Sequence, residues 1–475
     1  MTKFTSNLDN GVGKKKFEMP DAYVVLFAVV VLATIATWVI PAGEFERTVD
    51  VATGRNMVIP GSYHRVDQTP VSLFGMFTAI HAGFIESGYL IFFVCFSAAY
   101  ISTLFKSGTL HGAIKTLLEK VEGKEYLMIP VFMIFFGFIG TTSGSVEATY
   151  ALIPIFVGIG IAMGYDAIVG LAMIELGAFT GFASSTVNPF TIGLAQTISG
   201  LPLFSGLWYR IIIFVVMMSS SIWWVIRYAK YVKKNPELSL VKDLNFGNVA
   251  VPKDKLLEME FTTRQKLLLL GFLITVGIMV FGALKLGWYI SELASLFLIM
   301  TIVSGIIAGW GPNRIASNFI QASGEVAYGA FIIGLARAIT VVLNQGNIID
   351  TIINSLSLPL TKLPAWFSAQ GMLFVQHLIN FFIPSGSGQA AVSMPIMAPL
   401  ADLVGVNRQI ATLAFQFGDG FSNLIWPTCM VLIFCGIAKI PMDRWYRFFL
   451  PLAGIHLLLQ MAFIAIAMAI NLGPF

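Results

Sequence analysis

The sequence predicts an all-α polytopic membrane protein built as an inverted repeat, with two re-entrant hairpins and two broken transmembrane helices. Three observations predict it. The 475 residues are 57% hydrophobic and only 11% charged, where a soluble domain carries about 25% charge. Apolar runs of about twenty residues, the length that spans a bilayer, recur along the whole chain. Polar turns interrupt those runs at corresponding places in two halves of the chain. An outer-membrane barrel is excluded, because its strands would be short and alternating. Cys95, Cys429 and Cys435 all sit in apolar runs and read as small core residues, with no disulfide framework or metal spacing.

Residues 1–19 form a polar tail with Lys14-Lys15-Lys16, read as cytoplasmic. The first half covers 20–229. Pro20-Asp21 open a first span that runs to about Ile40, too long for a signal-peptide core and without a small-residue cleavage site. A polar connection, Glu44 to Asp67, follows. Phe74 to Ser87 is mildly amphipathic and suits the interface, Tyr89 to Phe105 spans, and His111 to Lys120 reads as a short surface helix. Leu127 to Gly140 and Ala148 to Met163 are each marginal for a full span and meet at a polar turn, the pattern of a re-entrant hairpin. Ala167 to Phe182 and Phe190 to Ile198 are short as well and flank a second polar break; Gly206 to Tyr228 is an ordinary span.

The charged, Pro-containing stretch 230–266 is the cytoplasmic linker, and 267–475 is the second half. Leu267 to Leu284, Ser291 to Trp310 and Tyr328 to Leu343 span, and Gly346 to Leu356 is a second short amphipathic helix. Trp366 to Ile383 and Ala390 to Leu403 flank the turn at Ser385. Ile410 to Phe417 and Pro427 to Ala438 flank a break at Asp419, and Phe448 to Ile470 is the last span.

Laid over each other, the halves match. Ser143-Gly144-Ser145 falls on Ser385-Gly386-Ser387, Glu147 on Gln389, Glu175 on Gln416 and Gly177 on Gly418, with slips of a few residues bringing Pro154 onto Pro395 and Pro189 onto Pro427. Both halves close on Trp-Tyr-Arg, at Trp208 and at Trp445, read as interfacial anchors. With the N-terminus inside and the Ser-Gly-Ser turns not crossing, the Lys106 to Lys124 segment, the linker, Arg314, Arg444 and Arg447 all fall inside. The two hairpins then enter from opposite sides, the plan of many secondary transporters.

Irregular backbone persists at membrane depth only where it faces protein or a water-filled cavity. Hairpin tips and helix breaks brought together present N–H groups to anions and free carbonyls to cations. The candidate substrate-binding residues are therefore Thr142, Ser143, Gly144, Ser145 and Glu147 in the first half, and Ser385, Gly386, Ser387, Gln389, Asp419, Ser422 and Asn423 in the second. Glu175, Ser184, Thr186, Asn188, Thr428 and Arg337 are candidates for a coupling ion or a supporting role. Around the breaks the ionisable residues are all acidic: Glu147, Glu175 and Asp419. That set suits a basic amino acid, and equally a neutral or acidic solute carried with cations. Arg337 is the one cation well inside an expected span, placed either to pair with an acid or to clamp helices. No selectivity-filter run, nucleophile motif or His/Cys cluster points to a channel or an enzyme.

Met19-Pro20-Asp21, Ile40-Pro41-Ala42-Gly43, the run Gly140 to Glu147, Pro384-Ser385-Gly386-Ser387-Gly388-Gln389 and Gly418-Asp419-Gly420 resemble the YfcC family from about Pro20 to the C-terminus. That family is grouped with anaerobic C4-dicarboxylate carriers of the DcuC type and with arginine/ornithine antiporters. More distantly it is similar to the ion transporter superfamily. The resemblance implies a bacterial inner-membrane carrier of elevator type, commonly a homodimer, with two hairpins and two broken helices. Ser-Asn-Thr tripeptides, which bind sodium in some of those relatives, are absent; Ser184-Ser185-Thr186 and Ser422-Asn423-Leu424 match in part. The expectation is a secondary transporter of basic amino acids, an exchanger or proton-coupled, with a cation-coupled C4-dicarboxylate carrier as the alternative. H⁺ or Na⁺ and the lipid bilayer are the expected partners, and neither a cofactor nor nucleic acid is expected.

Overall fold

The computed structural model describes residues 20–49, 56–121, 123–144, 146–249, 258–286 and 288–473. The tail 1–19, Ser145 and residues 250–257 of the linker lie outside the described residues. The helices of the first part are α1 (Ala22–Val39), α2 (Leu73–Glu86), α3 (Gly88–Lys106), α4 (Thr109–Lys120), α5 (Met128–Ser143), α6 (Ile153–Ala162), α7 (Ala167–Leu171), α8 (Gly177–Ser184), α9 (Leu194–Ile198) and α10 (Leu207–Lys234). Those of the second are α11 (Thr263–Lys285), α12 (Ile290–Ile307), α13 (Pro312–Gln345), α14 (Ile349–Ser357), α15 (Ala365–Phe382), α16 (Gly386–Leu403), α17 (Arg408–Ser422), α18 (Val431–Ala438) and α19 (Met442–Ala469). Eight helical stretches among the described residues are long and apolar enough to cross a membrane, and the protein is a multi-pass membrane protein.

The helices sort into two packed groups, each drawn from both parts of the chain. A frame joins α1, α2, α3, α11, α12 and α13; a core joins α5 to α10 with α15 to α19. The frame is locked by small and polar residues. A Cβ on Gly83 of α2 would stand 2.6 Å from the Gly334 carbonyl oxygen of α13, so only glycine allows that approach. Asn318 of α13 donates to Thr103 Oγ1 at 3.0 Å and accepts from Ser102 Oγ at 2.9 Å, tying α13 to α3. Within the core, a side chain on Gly140 would run into Ala178, and one on Gly181 into Gly137, so α5 and α8 touch backbone to backbone.

Several elements differ from expectation. The Glu44 to Asp67 connection carries two small antiparallel sheets, β1 (Gly43–Glu44) with β4 (His64–Arg65) and β2 (Arg47–Val49) with β3 (Asn56–Val58). Arg47 pairs with the buried Asp350 of α14 at 2.7 Å, and β3 packs against α16. α2, expected at the interface, buries Met76, Ala79 and Gly83 and packs on α13. α13 starts at Pro312, sixteen residues before the expected Tyr328, because helical backbone continues through a polar first half. The two hairpins are unequal. After the first turn the chain runs as a 3₁₀ segment, Val146–Leu152, before α6, whereas after the second turn α16 is continuous from Gly386 with Pro395 and Pro399 inside it.

Candidate functional site

The first turn ends α5 at Ser143, whose hydroxyl donates to the Ile139 carbonyl at 2.9 Å, while Thr142 donates to Phe138 O at 2.6 Å. Gly144 follows with φ +70, a left-handed conformation suited to glycine. Its Cα lies so close to the Asn188 side chain that a Cβ there would collide with the amide. Asn188 belongs to the break between α8 and α9, so break and hairpin tip meet. Thr186 of the same break is stitched to α5, its N–H donating to Thr141 Oγ1 at 2.9 Å. Ser184 satisfies its hydroxyl on Thr180 O within α8 at 2.8 Å.

The second turn begins α16. Ser385 caps it, its hydroxyl accepting from Gly388 N at 3.3 Å. A Cβ on Gly386 would stand 2.6 Å from Thr191 Cγ2, just past the first break, and 2.9 Å from Asp419 Oδ2 of α17. The second hairpin tip therefore sits against the first break and against Asp419, which lies inside the last turn of α17, because helical backbone continues past the expected break at Asp419 to Ser422 and the irregular stretch begins only at Asn423. The opening turn of α16 carries the partial positive charge of a helix N-terminus towards that acid. Ser387 is half-buried on the same turn. Gln389 is fully buried and donates to Gln376 Oε1 at 2.7 Å, bridging the two arms of the hairpin.

Asp419 is completely buried, and neither carboxylate oxygen has a hydrogen-bond partner among the described residues. Its backbone carbonyl is held instead, by Asn423 Nδ2 at 2.7 Å and Asn380 Nδ2 at 3.0 Å. Those donations fix the two amide orientations and leave Asn380 Oδ1 and Asn423 Oδ1 without partners among the described residues. Ser422 accepts from Asn380 at 2.6 Å, and Thr428 is buried further along the break, its hydroxyl 3.8 Å from Cys429 Sγ. Glu175 is also completely buried; Thr149 donates to its Oε1 at 2.7 Å, and its Oε2 has no partner among the described residues. Glu147 is half-buried on the 3₁₀ segment and within electrostatic reach of both Glu175 and Asp419. Two hairpin tips, two breaks and three carboxylates thus converge on one region. No group of three or more His, Cys, Asp or Glu residues with metal-binding placement occurs among the described residues.

Two expectations need correction. The ionisable set around the breaks is not purely acidic. Arg210, expected as an interfacial anchor, is 2% exposed and donates to Thr186 O of the first break at 3.1 Å and to Ser205 O. Tyr209 and Trp445 are buried too, Trp445 stacked on Phe449 with ring centroids 5.5 Å apart, while Trp208 is half-exposed and Arg447 exposed. The signal for Arg210 was its position three residues inside an apolar run, where a charge has to find carbonyls. Arg337 pairs with an acid, Glu86 of α2, at 2.8 Å, one of the two placements the sequence leaves open. His377 hydrogen-bonds Gln460 at 2.9 Å.

The model of the family described as C4-dicarboxylate anaerobic carrier, DcuC, matches residues 19–469. An uncharacterized protein of Haemophilus influenzae is 31% identical over 503 residues, covering 95% of this chain and 97% of that one. The Escherichia coli K12 protein named "Putative basic amino acid antiporter YfcC" is 33% identical over 483 residues, covering 93% of this chain and 94% of that one. Among solved structures, the YdaH transporter of Alcanivorax borkumensis is similar at 15% identity and a TM-score of 0.41, over 95% of this chain and 99% of that one. MtrF of Neisseria gonorrhoeae, described as illuminating a class of antimetabolite efflux pumps, is similar at 17% identity and a TM-score of 0.41, over 94% of this chain and 95% of that one. By the family match from residue 19 to 469, the chain belongs to the C4-dicarboxylate anaerobic carrier family, DcuC, a family of membrane transporters.

Proposed function

We propose that this protein is a secondary carrier that exchanges basic amino acids such as arginine, ornithine and lysine. The observation that carries the reading is Asp419: a buried carboxylate with both oxygens unpartnered among the described residues, facing the first turn of α16. Such a group calls for a cation or a proton. In this reading Asp419, with Glu147, takes the cationic end of the substrate, while the hairpin tips offer N–H groups and hydroxyls to its carboxylate. Glu175, with one oxygen held by Thr149, supports the site. The name of the Escherichia coli relative agrees with it.

The halves 20–229 and 267–475, joined by a cytoplasmic linker 230–266, form an inverted repeat in this reading, and the core helices move against the frame as an elevator. The protein works as a homodimer in the bacterial inner membrane with its N-terminus in the cytoplasm. Counterflow of radiolabelled arginine, ornithine or lysine into proteoliposomes tests the function. Saturable exchange that disappears in Asp419→Asn is expected; absence of transport for all three amino acids overturns the reading.

A second reading, a sodium- or proton-coupled C4-dicarboxylate carrier, is favoured by the buried Arg210 beside the first break and by the family's description. There the carboxylates serve the coupling ion. Uptake that succinate or fumarate inhibits, and that requires sodium or a proton gradient, would select it.

A further inference from the structure

Arg337 lies in the second half of α13, in a frame helix otherwise buried along this stretch: Ala336 and Ala338 are 8% and 0% exposed. Yet the Arg337 side chain is 42% exposed, and that of its partner Glu86 is 45% exposed. An open charge within a membrane helix, eight residues before its end at Gln345, is accommodated by an aqueous crevice rather than by hydrocarbon. Its neighbours place that crevice. One turn along α13 from Arg337, Thr340 donates its hydroxyl to Phe382 O at 3.2 Å, the last residue of α15 before the second hairpin turn. The 3₁₀ segment carrying Glu147 packs against α3. Tyr89, at the start of α3, is within electrostatic reach of both Glu147 and Arg337. Arg337 is therefore on the frame wall facing the place where the two hairpins converge.

Its hydrogen bonding is incomplete. Nε donates to Glu86 Oε2 at 2.8 Å, and among the described residues Nη1 and Nη2 make no hydrogen bond. Glu86 thus holds the guanidinium in place while its outer edge stays open. α2 fixes Glu86 in turn, because Gly83, one turn earlier, is pressed against the α13 backbone at Gly334 and Ala338. A guanidinium anchored through one nitrogen with a free edge is built for a carboxylate.

We propose that Arg337 binds the α-carboxylate of the transported amino acid from the frame side, and so selects amino acids over the corresponding amines. This rests on the basic-amino-acid reading and adds a second grip to that of the hairpin tips. The cationic side chain of the substrate goes to Asp419 and Glu147, while Arg337 reads the end that distinguishes arginine from agmatine, the same molecule without its carboxylate. Glu86 keeps the site from carrying an unpaired positive charge when it is empty.

The test is ligand-induced thermal stabilisation of the purified full chain, titrated with arginine and with agmatine, since a ligand of the native state raises its apparent stability as its concentration exceeds the dissociation constant. Wild type is expected to bind arginine more tightly than agmatine. Arg337→Gln is expected to weaken arginine roughly ten- to a hundredfold, the loss of charge-assisted hydrogen bonds, while leaving agmatine unchanged. Arg337→Lys keeps the charge without the planar fork and weakens arginine less. Should Arg337→Gln fail to fold because Glu86 is left unpaired, the double variant Glu86→Gln with Arg337→Gln removes both charges and carries the same expectation. An equal loss for both ligands, or an unchanged preference for arginine, overturns the assignment while leaving the function standing. A wild type stabilised by neither ligand overturns the reading of function and this assignment together.

Discussion

An ionised carboxylate without a donor is costly in a dry interior, and the three acids of the site carry that cost unequally. Glu147 is partly buried, Glu175 has one oxygen bonded to Thr149, and Asp419 has none bonded among the described residues. Function is therefore expected to depend most on Asp419, and stability least. Asp419→Asn removes the charge with little change in shape. It should leave the melting temperature equal or higher, by about 1 kcal/mol or less of added stability. Amino acid exchange should fall at least about a hundredfold, as expected when a buried charge that pairs with the substrate is neutralised. Glu175→Gln keeps an oxygen for the Thr149 hydroxyl, so it should change stability by about 1 kcal/mol or less and reduce exchange less than Asp419→Asn does. Melting curves and proteoliposome counterflow on the same preparations check both. A clear fall in stability for Asp419→Asn would make Asp419 a structural group. Arg210 belongs to the same scale: with backbone carbonyls for partners, it acts as a clasp on the first break.

At the scale of elements, the polar turns were legible because small polar residues between apolar runs have few stable uses inside a membrane. Gly140 to Gly144 and Ser385 to Gly388 accordingly end one helix and begin the next segment of chain. What periodicity and hydropathy could not show was which apolar surface meets which. The burial of Trp445 and Arg210 depends on neighbours far away in sequence, and the polar first half of α13 is helical because it docks on α3 through Asn318. The close approach of α5 to α8 was hidden for the same reason, since a glycine in an apolar run looks the same at a lipid face and at a helix crossing. The structure separates the two cases. A side chain on Gly181 meets the Gly137 backbone, whereas one on Gly277 of α11 meets nothing within 4 Å. Gly181→Val should cost about 1–3 kcal/mol from overpacking and lower the melting temperature. Gly277→Ala should be neutral or stabilising by up to about 1 kcal/mol. Equal melting temperatures for the two variants would argue against a backbone-to-backbone crossing of α5 and α8.

For the whole molecule, frame and core meet along α13, which packs on α18, and at several further contacts, the Glu325–Lys439 ion pair among them. One contact is a glycine pair, with a Cβ on Gly329 of α13 lying 3.0 Å from the Gly436 backbone of α18, so the two backbones approach closely there. Another is the hydroxyl of Thr340 on Phe382 O at 3.2 Å. A glycine crossing and a single hydroxyl contact suit sliding, because little has to be broken at either for one group to shift past the other. Tethering the core to the frame should therefore stop transport, and tethering the frame to itself should not. In a chain whose free Cys95, Cys429 and Cys435 are replaced, Thr340→Cys with Phe382→Cys would be joined by a short, reducible bifunctional thiol reagent. Exchange should fall to background and recover on reduction. Tyr23→Cys with Tyr328→Cys joins α1 to α13 inside the frame, where the Tyr23 hydroxyl already donates to Tyr328 O at 2.8 Å; cross-linked there, the protein should exchange at the uncross-linked rate. Full exchange with the Thr340–Phe382 pair quantitatively joined would mean that the core does not move against the frame. Access would then alternate through the hairpin tips alone, and the search for the mobile part would turn to Gly144 and Gly386.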